Sequence, residues 1–469
     1  MKPRAVMLVP MFVICATGCA VGPNYHEPTQ SVPDQFSNAA QPGIEQAEAV
    51  AQFWTLLNDP VLDRLVSDAL AANKDLAQAA GNLQASRAAA RFTGFDTYPT
   101  INASGSYSRS LVSSDQLPGT TRNERTFDAY DVGFDAAWEL DLFGRVRRSN
   151  QAAHADVGAA EATLRDAIVS VTAEVARNYC VLRGLQDQLA VAERNEVNQR
   201  QTLDLTQTRL DAGRGTQLDV ARAAAQLATT EATIPPLRSS IATTIHRLSV
   251  LTGRQPEVLA PELSASRPMP ALPALNAIGG PEALLRRRPD VRIAERNLAA
   301  ATARIGVSVA DLFLRITLVG SAGYDSVSWK DLGSAGSQTY SFGPSITWAA
   351  FDLGRVRARI GVARAQTDVA LAAYEAAVLN ALEDTENSLV SYGESQRREA
   401  TLERAATQST TAARLARQRF EGGLSDFLSV LQAERDALAA EDSLAQGRTQ
   451  TATSLIAVYK ALGGGWMTR

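Results

Sequence analysis

The stretch from Tyr130 to Arg147, YDVGFDAAWELDLFGRVR, recurs from Tyr340 to Arg357 as YSFGPSITWAAFDLGRVR, and this repeat limits the possible folds more than any other feature. Gly133 and Gly343, Trp138 and Trp348, Gly144 and Gly354, and the Arg-Val-Arg of 145–147 and 355–357 keep one offset of about 210 residues. The same offset carries Arg209-x-x-x-Gly213 onto Arg419-x-x-x-Gly423 and Leu218-x-Val220 onto Leu428-x-Val430. Upstream, Asn82-Leu83 answers to Asn297-Leu298, and Ile101-x-x-x-Gly105 to Ile316-x-x-x-Gly320, at an offset of about 215; loops of unequal length absorb the difference. A solenoid repeats every ~20–50 residues, so a period this long implies two copies of one large unit.

Within each copy the hydrophobic period changes from 3.6 to 2 and back. Asp59-Pro60 opens a helix, with Leu62, Leu65, Val66, Ala69 and Leu70 at helical spacing; Leu76, Ala79, Leu83 and Ala90 mark a second, ended by Tyr98-Pro99. Strict alternation follows at about 99–109 and 127–140, and again at about 314–325 and 339–350. Ile101, Ala103, Tyr107, Val132, Phe134, Trp138, Ile316, Leu318, Phe342 and Ile346 fall on one face, with Ser, Asn, Asp and Gly on the other. Each run approaches the ~9–11 residues of a tilted membrane strand, with aromatic residues towards the ends. Four strands do not close a barrel, and lipid tolerates no open sheet edge. The barrel must therefore be shared between copies; two would give eight strands and three twelve, and the strand count does not choose.

After Gly144 a helical pattern runs for about 65 residues, with Val157, Leu164, Val171 and Leu185 in one heptad position and Ile168, Val175, Leu182 and Leu189 in another. At 1.5 Å per residue this is roughly 100 Å of helix. Gly213 supplies a left-handed cap, and a return helix is predicted from Thr216 to Leu251, completing a long hairpin over 144–251. The second half repeats the plan over 354–462, with its turn at Gly422-Gly423. The repeats thus occupy 53–253 and 282–465, joined by a Pro-rich linker, 254–281.

Residues 1–18 form an export leader: Lys2 and Arg4, an apolar run, then Ala16-Thr17-Gly18 before Cys19. Gly before Cys suits a lipoprotein signal peptidase, making Cys19 the acylated first residue, bearing a diacylglycerol and an N-acyl chain as its only covalent group. Ala20 and Val21 follow, so no Asp retains the protein at the inner membrane, and outer-membrane sorting is expected. Residues 19–52 read as a lipidated, Pro-containing tether. With 45% hydrophobic residues, 20% charged and a net charge of −4, the chain lacks a nucleic-acid-binding signature. Cys15 leaves with the leader and Cys19 is acylated, so Cys180 stands alone and no internal disulfide is expected.

These residues together resemble the TolC-like outer membrane factors, most closely the NodT-type efflux lipoproteins. The resemblance rests on Gly18-Cys19-Ala-Val-Gly-Pro-Asn-Tyr25, on Arg287-Arg288-Pro289-Asp290-Val291 with Ala294-Glu295-Arg296-Asn297-Leu298, on Phe351-Asp352-Leu353-Gly354-Arg355, and on the two Arg-x-x-x-Gly turns. Leu314 stands where that pattern has Pro, as in Tyr98-Pro99. The resemblance implies a mainly α fold with membrane β: a homotrimeric 12-stranded barrel continuous with a long periplasmic α-helical barrel. It implies a passive exit duct in the outer membrane, opened by a periplasmic membrane-fusion adaptor and driven by an inner-membrane RND-type pump. The exit channel of a type I protein secretion system shares that fold, and a lipid-anchored coiled-coil spacer is the alternative outside transport.

Two residue groups are functional candidates. Arg209, Gly213, Asp219, Arg222, Arg419, Gly423 and Asp426 mark the turns, which in the family form the periplasmic aperture and adaptor contact. A threefold collar of Asp426 would be negative there, and any charge filter rests more heavily on it because Ser429 and Gln432 stand where some relatives carry further carboxylates; Asp219 and Arg222 are possible partners, and the alternative is that Asp426 only caps the returning helix. Arg145, Arg147, Arg148, Arg355, Arg357 and Arg359 cluster where strands become helices. Positive charge there opposes the helix dipole, and outer membrane lipid phosphate is the expected partner. No catalytic motif appears: His26, His154 and His246 are dispersed, and Gly463-Gly464-Gly465 is a helix stop lacking the Lys-Ser/Thr of a phosphate loop. The chain is expected to be no enzyme and to need no metal.

Overall fold

The computed structural model describes residues 20–29, 32–37, 52–275 and 278–464. The leader and the proposed acylation site at Cys19 lie outside them. Compact packing divides the chain into two units, each built from both sequence halves. One unit takes residues 20–28 with Gln84–Ala159 and Ala294–Tyr374; the other takes the described parts of Thr29–Leu83, Ala160–Ile293 and Glu375–Arg469.

The elements come in chain order as α1 (Pro60–Ala72), α2 (Lys74–Gly94), β1 (Thr100–Leu111), β2 (Thr126–Leu140), α3 (Arg145–Asp211), α4 (Gln217–Glu231), α5 (Ile234–Leu251) and the short α6 (Ala260–Leu263). Then follow α7 (Pro281–Arg287), α8 (Pro289–Ala310), β3 (Arg315–Ser326), β4 (Gln338–Thr347), α9 (Leu353–Glu421) and α10 (Phe427–Ala461). Asp59 caps α1 by accepting from the Val61 and Leu62 N–H groups, with Pro60 at the first turn, and the helix buries Val61, Leu62, Leu65, Val66 and Ala69. α3 and α9 are unbroken over 67 and 69 residues.

All four strands lie in the first unit, in one antiparallel sheet of order β1-β2-β3-β4. Ile101 faces Ala136 across β1 and β2, Phe134 faces Ala322 across β2 and β3, and Ile316 faces Ile346 across β3 and β4. Opposed residues share a face, so Ile101, Tyr107, Val132, Phe134, Trp138, Leu318, Phe342 and Ile346 form one apolar face. Ser104, Asp131, Asp135, Thr317, Ser321, Ser341 and Ser345 form the polar one. β1 and β4 are the sheet edges. Despite Leu314, β3 starts as β1 does: the Trp348 indole N–H donates to Leu312 O (3.0 Å) as that of Trp138 donates to Thr97 O (3.0 Å). β4 ends at Thr347, short of 350, because the backbone turns there, the Asp352 N–H returning to Ala349 O at 2.9 Å.

The second unit has its core around Phe53, Leu62, Leu65, Tyr179, Leu182, Ile245, Leu248, Leu389, Leu455 and Tyr459, with the Phe53 and Tyr459 rings stacked at 5.1 Å. Here the predicted return helix of the first half proves to be two, α4 and α5, interrupted at Ala232 and Thr233. Pro235 and Pro236 lack the N–H groups that a continuous helix would need, and their rings would clash with the preceding turn. α10, with no Pro, runs uninterrupted for 35 residues.

Candidate functional site

At the turns, all within the second unit, geometry follows from glycine. Gly213 (φ +69°) and Gly423 (φ +74°) are left-handed, a conformation costly for any residue with a Cβ. The Gly213 N–H donates to Leu210 O (2.9 Å) and the Arg214 N–H to Arg209 O (2.8 Å). Gly423 and Leu424 repeat this on Phe420 O (3.0 Å) and Arg419 O (2.8 Å), satisfying the last carbonyls of α3 and α9. The return helices start with mirrored caps. Thr216 Oγ1 accepts from the Asp219 N–H (3.2 Å) and donates to the Asp219 carboxylate (2.7 Å); Asp426 accepts from the Ser429 N–H (3.0 Å) and hydroxyl (2.6 Å). The two bonds from Ser429, hydroxyl first, hold the Asp426 carboxyl below its ordinary range.

Arg209 ties one turn to the other. Its guanidinium donates to Phe420 O (2.6 Å) and Glu421 O (3.2 Å) and lies 3.9 Å from the centre of the Phe420 ring. Its counterpart Arg419 is exposed and its side chain forms no hydrogen bond or ion pair among the described residues; nor does the side chain of Arg222. The structure does not pair Asp219 or Arg222 with Asp426; the nearby hydroxyl of Thr216 takes Asp219 instead. Asp426, Ser429, Gln432 and Asp436 border an open groove beside Ser409 and Ala412. The sequence reading missed the cluster behind them. Arg417 donates to Glu434 (2.7 Å), Thr202 Oγ1 (2.6 Å) and Asn198 O (3.0 Å), joining α3, α9 and α10 over a plug of Phe420, Phe427, Val430 and Leu431. Only the half-buried setting of an Arg and a Glu amid apolar neighbours could have signalled it, and that setting is tertiary.

At the strand-to-helix junction in the first unit, carboxylates of the chain itself meet several of the arginines for which lipid phosphate is the expected partner. Gly144 (φ +80°) turns β2 into α3. Arg145 forms a fork with Glu139 (2.8 and 2.7 Å), and Arg147 meets Asp141 (3.1 Å), whose oxygens also accept from the Val146 and Arg147 N–H groups (both 2.9 Å). Arg355 pairs with Asp352 (2.9 Å) and Arg359 with Asp311 (2.6 Å). These carboxylates relieve the opposition between the arginines and the helix dipoles. Arg357 is exposed, and its side chain forms neither hydrogen bond nor ion pair among the described residues.

Arg148 does something else: it holds the N-terminal segment. Its guanidinium donates to Val21 O (3.1 Å), Gly22 O (3.2 Å) and Asn24 Oδ1 (2.8 Å), and the Val21 N–H reaches Phe143 O (3.1 Å). Tyr25 donates to buried Glu295 at 2.5 Å, and a Cβ on Gly22 (φ +87°) would stand 2.5 Å from Gly306 Cα. The segment read as a tether is therefore strapped down along 20–25.

Among the described residues, no group of three or more His, Cys, Asp or Glu side chains gathers to hold a metal. No helix among them is long and apolar enough to cross a membrane. The chain combines a sheet apolar on one face and polar on the other with long helices. That combination is the one found in an outer-membrane channel. The chain belongs to the outer membrane efflux protein family, whose model matches residues 65–254 and 280–464. It is 31% identical to Nodulation protein T of Rhizobium leguminosarum bv. trifolii over 97% of each chain, and 31% identical to the toluene efflux pump outer membrane protein TtgI of Pseudomonas putida over 98% of each. The solved outer-membrane channel OprN superposes with a TM-score of 0.89 at 41% identity, covering 96% of this chain and 100% of that one. The protein is thus an outer-membrane efflux channel that reaches into the periplasm, and not an enzyme.

Proposed function

We propose that three copies assemble into one passive exit duct: a twelve-stranded barrel leading into a helical barrel in the periplasm, entered through an aperture at the Gly213 and Gly423 turns. The observation that carries this reading is the sheet itself, open at β1 and β4 yet apolar along a whole face. In hydrocarbon each unpaired edge group costs several kcal/mol, so the edges must meet those of other copies; eight and twelve are both even counts found in such barrels, and the family resemblance favours three copies. The internal twofold repeat finds support in the registers: Ile101 opposite Ala136 becomes Ile316 opposite Ile346, carried by the sequence offsets of about 215 and 210 residues.

The duct supplies no energy, so a periplasmic adaptor opens it and an inner-membrane RND-type pump drives it, with Asp426 as a threefold negative collar at the aperture. Cys19 carries the diacylglycerol and N-acyl lipid. Similarity to a toluene efflux protein makes small organic solutes the proposed cargo. The test is native mass in detergent with conductance in planar bilayers, and toluene and drug tolerance of a deletion strain. Trimers that conduct, and a sensitised strain, are expected. A monomer without conductance would instead favour the lipid-anchored spacer.

A further inference from the structure

We infer that the joint between copies is completed by residues 96–98 of one copy docking against the β4-to-α9 junction of the next, Asp96 reaching Arg355 and Tyr98 packing at Leu353. This rests on the trimer and repeat proposed above, and goes beyond them by naming the contact. Four observations lead to it, all within the first unit.

First, the chain already contains one such joint, between its two hairpins. Where β2 ends and β3 begins, Phe313 stacks on Phe143 with ring centres 4.6 Å apart, and Arg315 meets Glu139 at 3.6 Å. The matching indole bonds, Trp138 to Thr97 and Trp348 to Leu312, fix the correspondence between halves. By it, Phe313 answers to Tyr98, Asp311 to Asp96, Phe143 to Leu353 and Arg145 to Arg355.

Second, the two sides of the missing joint are exposed. Phe95 and Tyr98 are each 67% accessible beside β1, while Phe351 is fully exposed and Trp348 54% accessible beyond β4. Third, charge is unbalanced. The carboxylates that serve the first junction, Glu139 and Asp141, are replaced in the second by Ala349 and Phe351. Among the described residues Arg355 keeps only exposed Asp352, and Arg357 makes no ion pair. The side chain of Asp96, exposed at the other edge, makes no hydrogen bond or ion pair among the described residues, though Arg145 feels its field together with that of Asp311.

Fourth, the register agrees. Carrying the β2–β3 pairing over by the same offsets places Ile346 opposite Gly105, Trp348 opposite Ala103 and Ser345 opposite Ser106 of the neighbouring copy. The apolar faces meet and the polar faces meet; a slip by one residue would invert every side chain.

Disulfide trapping of the full-length protein in outer membranes tests this. Ser106→Cys with Ser345→Cys should form covalent trimers on oxidation, whereas Ser108→Cys with Ser345→Cys, two residues out of register, should not. Trimers by native mass that cross-link only through the shifted pair, or through neither, would overturn the register while leaving the trimer standing. A monomer by mass would overturn the underlying assembly. For the ion pair, Asp96→Arg and Arg355→Asp should each lower the temperature at which trimers dissociate, and the two together should recover more than half of the loss. Failure to recover would overturn the Asp96–Arg355 contact.

Discussion

Arg288, in the Arg-Arg-Pro-Asp-Val motif, offers the sharpest test of how the second unit is held. Its side chain is only 10% exposed and forms a fork with Asp290 (3.0 and 2.6 Å), reaches Asp384 (3.1 Å), and donates to Ala461 O (3.1 Å) at the end of α10 and to Ala381 O (3.4 Å) in α9. One guanidinium thus gathers α8, α9 and α10. Removing one member of a buried ion pair costs about 3–5 kcal/mol. Asp384 and Asp290, with side chains 62% and 37% exposed, can rehydrate, which favours the lower end. The two carbonyls lose charge-assisted bonds, each worth about 1.5–3 kcal/mol, which keeps the total near 3 kcal/mol for Arg288→Met. Cys180 reports it: the thiol is fully buried in the core that includes Leu284 and Leu462, and burial pushes it up to about 12, so labelling requires opening. In a Cys15→Ser, Cys19→Ser background, maleimide labelling should quicken by about two orders of magnitude, at 1.4 kcal/mol per tenfold. Arg288→Lys, which keeps the charge but not the fork, should fall between. Labelling of Arg288→Met at the parent rate would refute the clamp.

Further outcomes follow from other contacts. Gly323→Val should prevent assembly of the sheet, because a Cβ there stands 2.5 Å from Val132 O and 2.7 Å from Gly133 Cα; heat-resistant oligomers on gels would contradict this. Cys19→Ser should abolish acylation, read by mass spectrometry, yet leave trimers in the outer membrane; retained acylation would move the lipid elsewhere. Asp426→Asn keeps much of the cap but removes the charge, so resting conductance should rise or block by multivalent cations weaken. Unchanged conductance and cation block would leave Asp426 as a cap alone. Because the folded Asp426 carboxyl sits below its unfolded value, its contribution is complete above ordinary carboxylate pH and is lost only as pH falls through the depressed value. Conductance of the parent at pH 5 and 7 should therefore match in this respect.

Much of the fold could be read because its signals are local. The alternation of Tyr130, Val132, Phe134, Ala136 and Trp138 decides the face of β2 by itself, and the Gly213 and Gly423 turns need only a residue without a Cβ where the helix must end. What escaped is not written in hydrophobic periodicity. Pro235-Pro236 was visible, but two adjacent missing donors, rather than one tolerable kink, divide the return helix. The basic cluster invited a lipid because arginines at helix starts need negative charge; that Glu139 and Asp141 bend back to supply it depends on the turn at Gly144. Arg148 and residues 20–25 lie more than a hundred positions apart and share no periodicity.

The two junctions make the same point about function. Arg-Val-Arg is written identically at 145–147 and 355–357, so the sequence suggests equal roles, yet the residues two to six places earlier differ: Glu139 and Asp141 in one copy, Ala349 and Phe351 in the other. An internal joint satisfied within the chain needs its own carboxylates, since an unpaired, partly buried guanidinium is costly. A joint between copies, as proposed above, can leave Arg355 with only the exposed Asp352, and the Arg357 side chain with no ion pair among the described residues, until the neighbour arrives. On the assembly proposed above, divergence between the halves of the repeat therefore marks the surface that meets another copy.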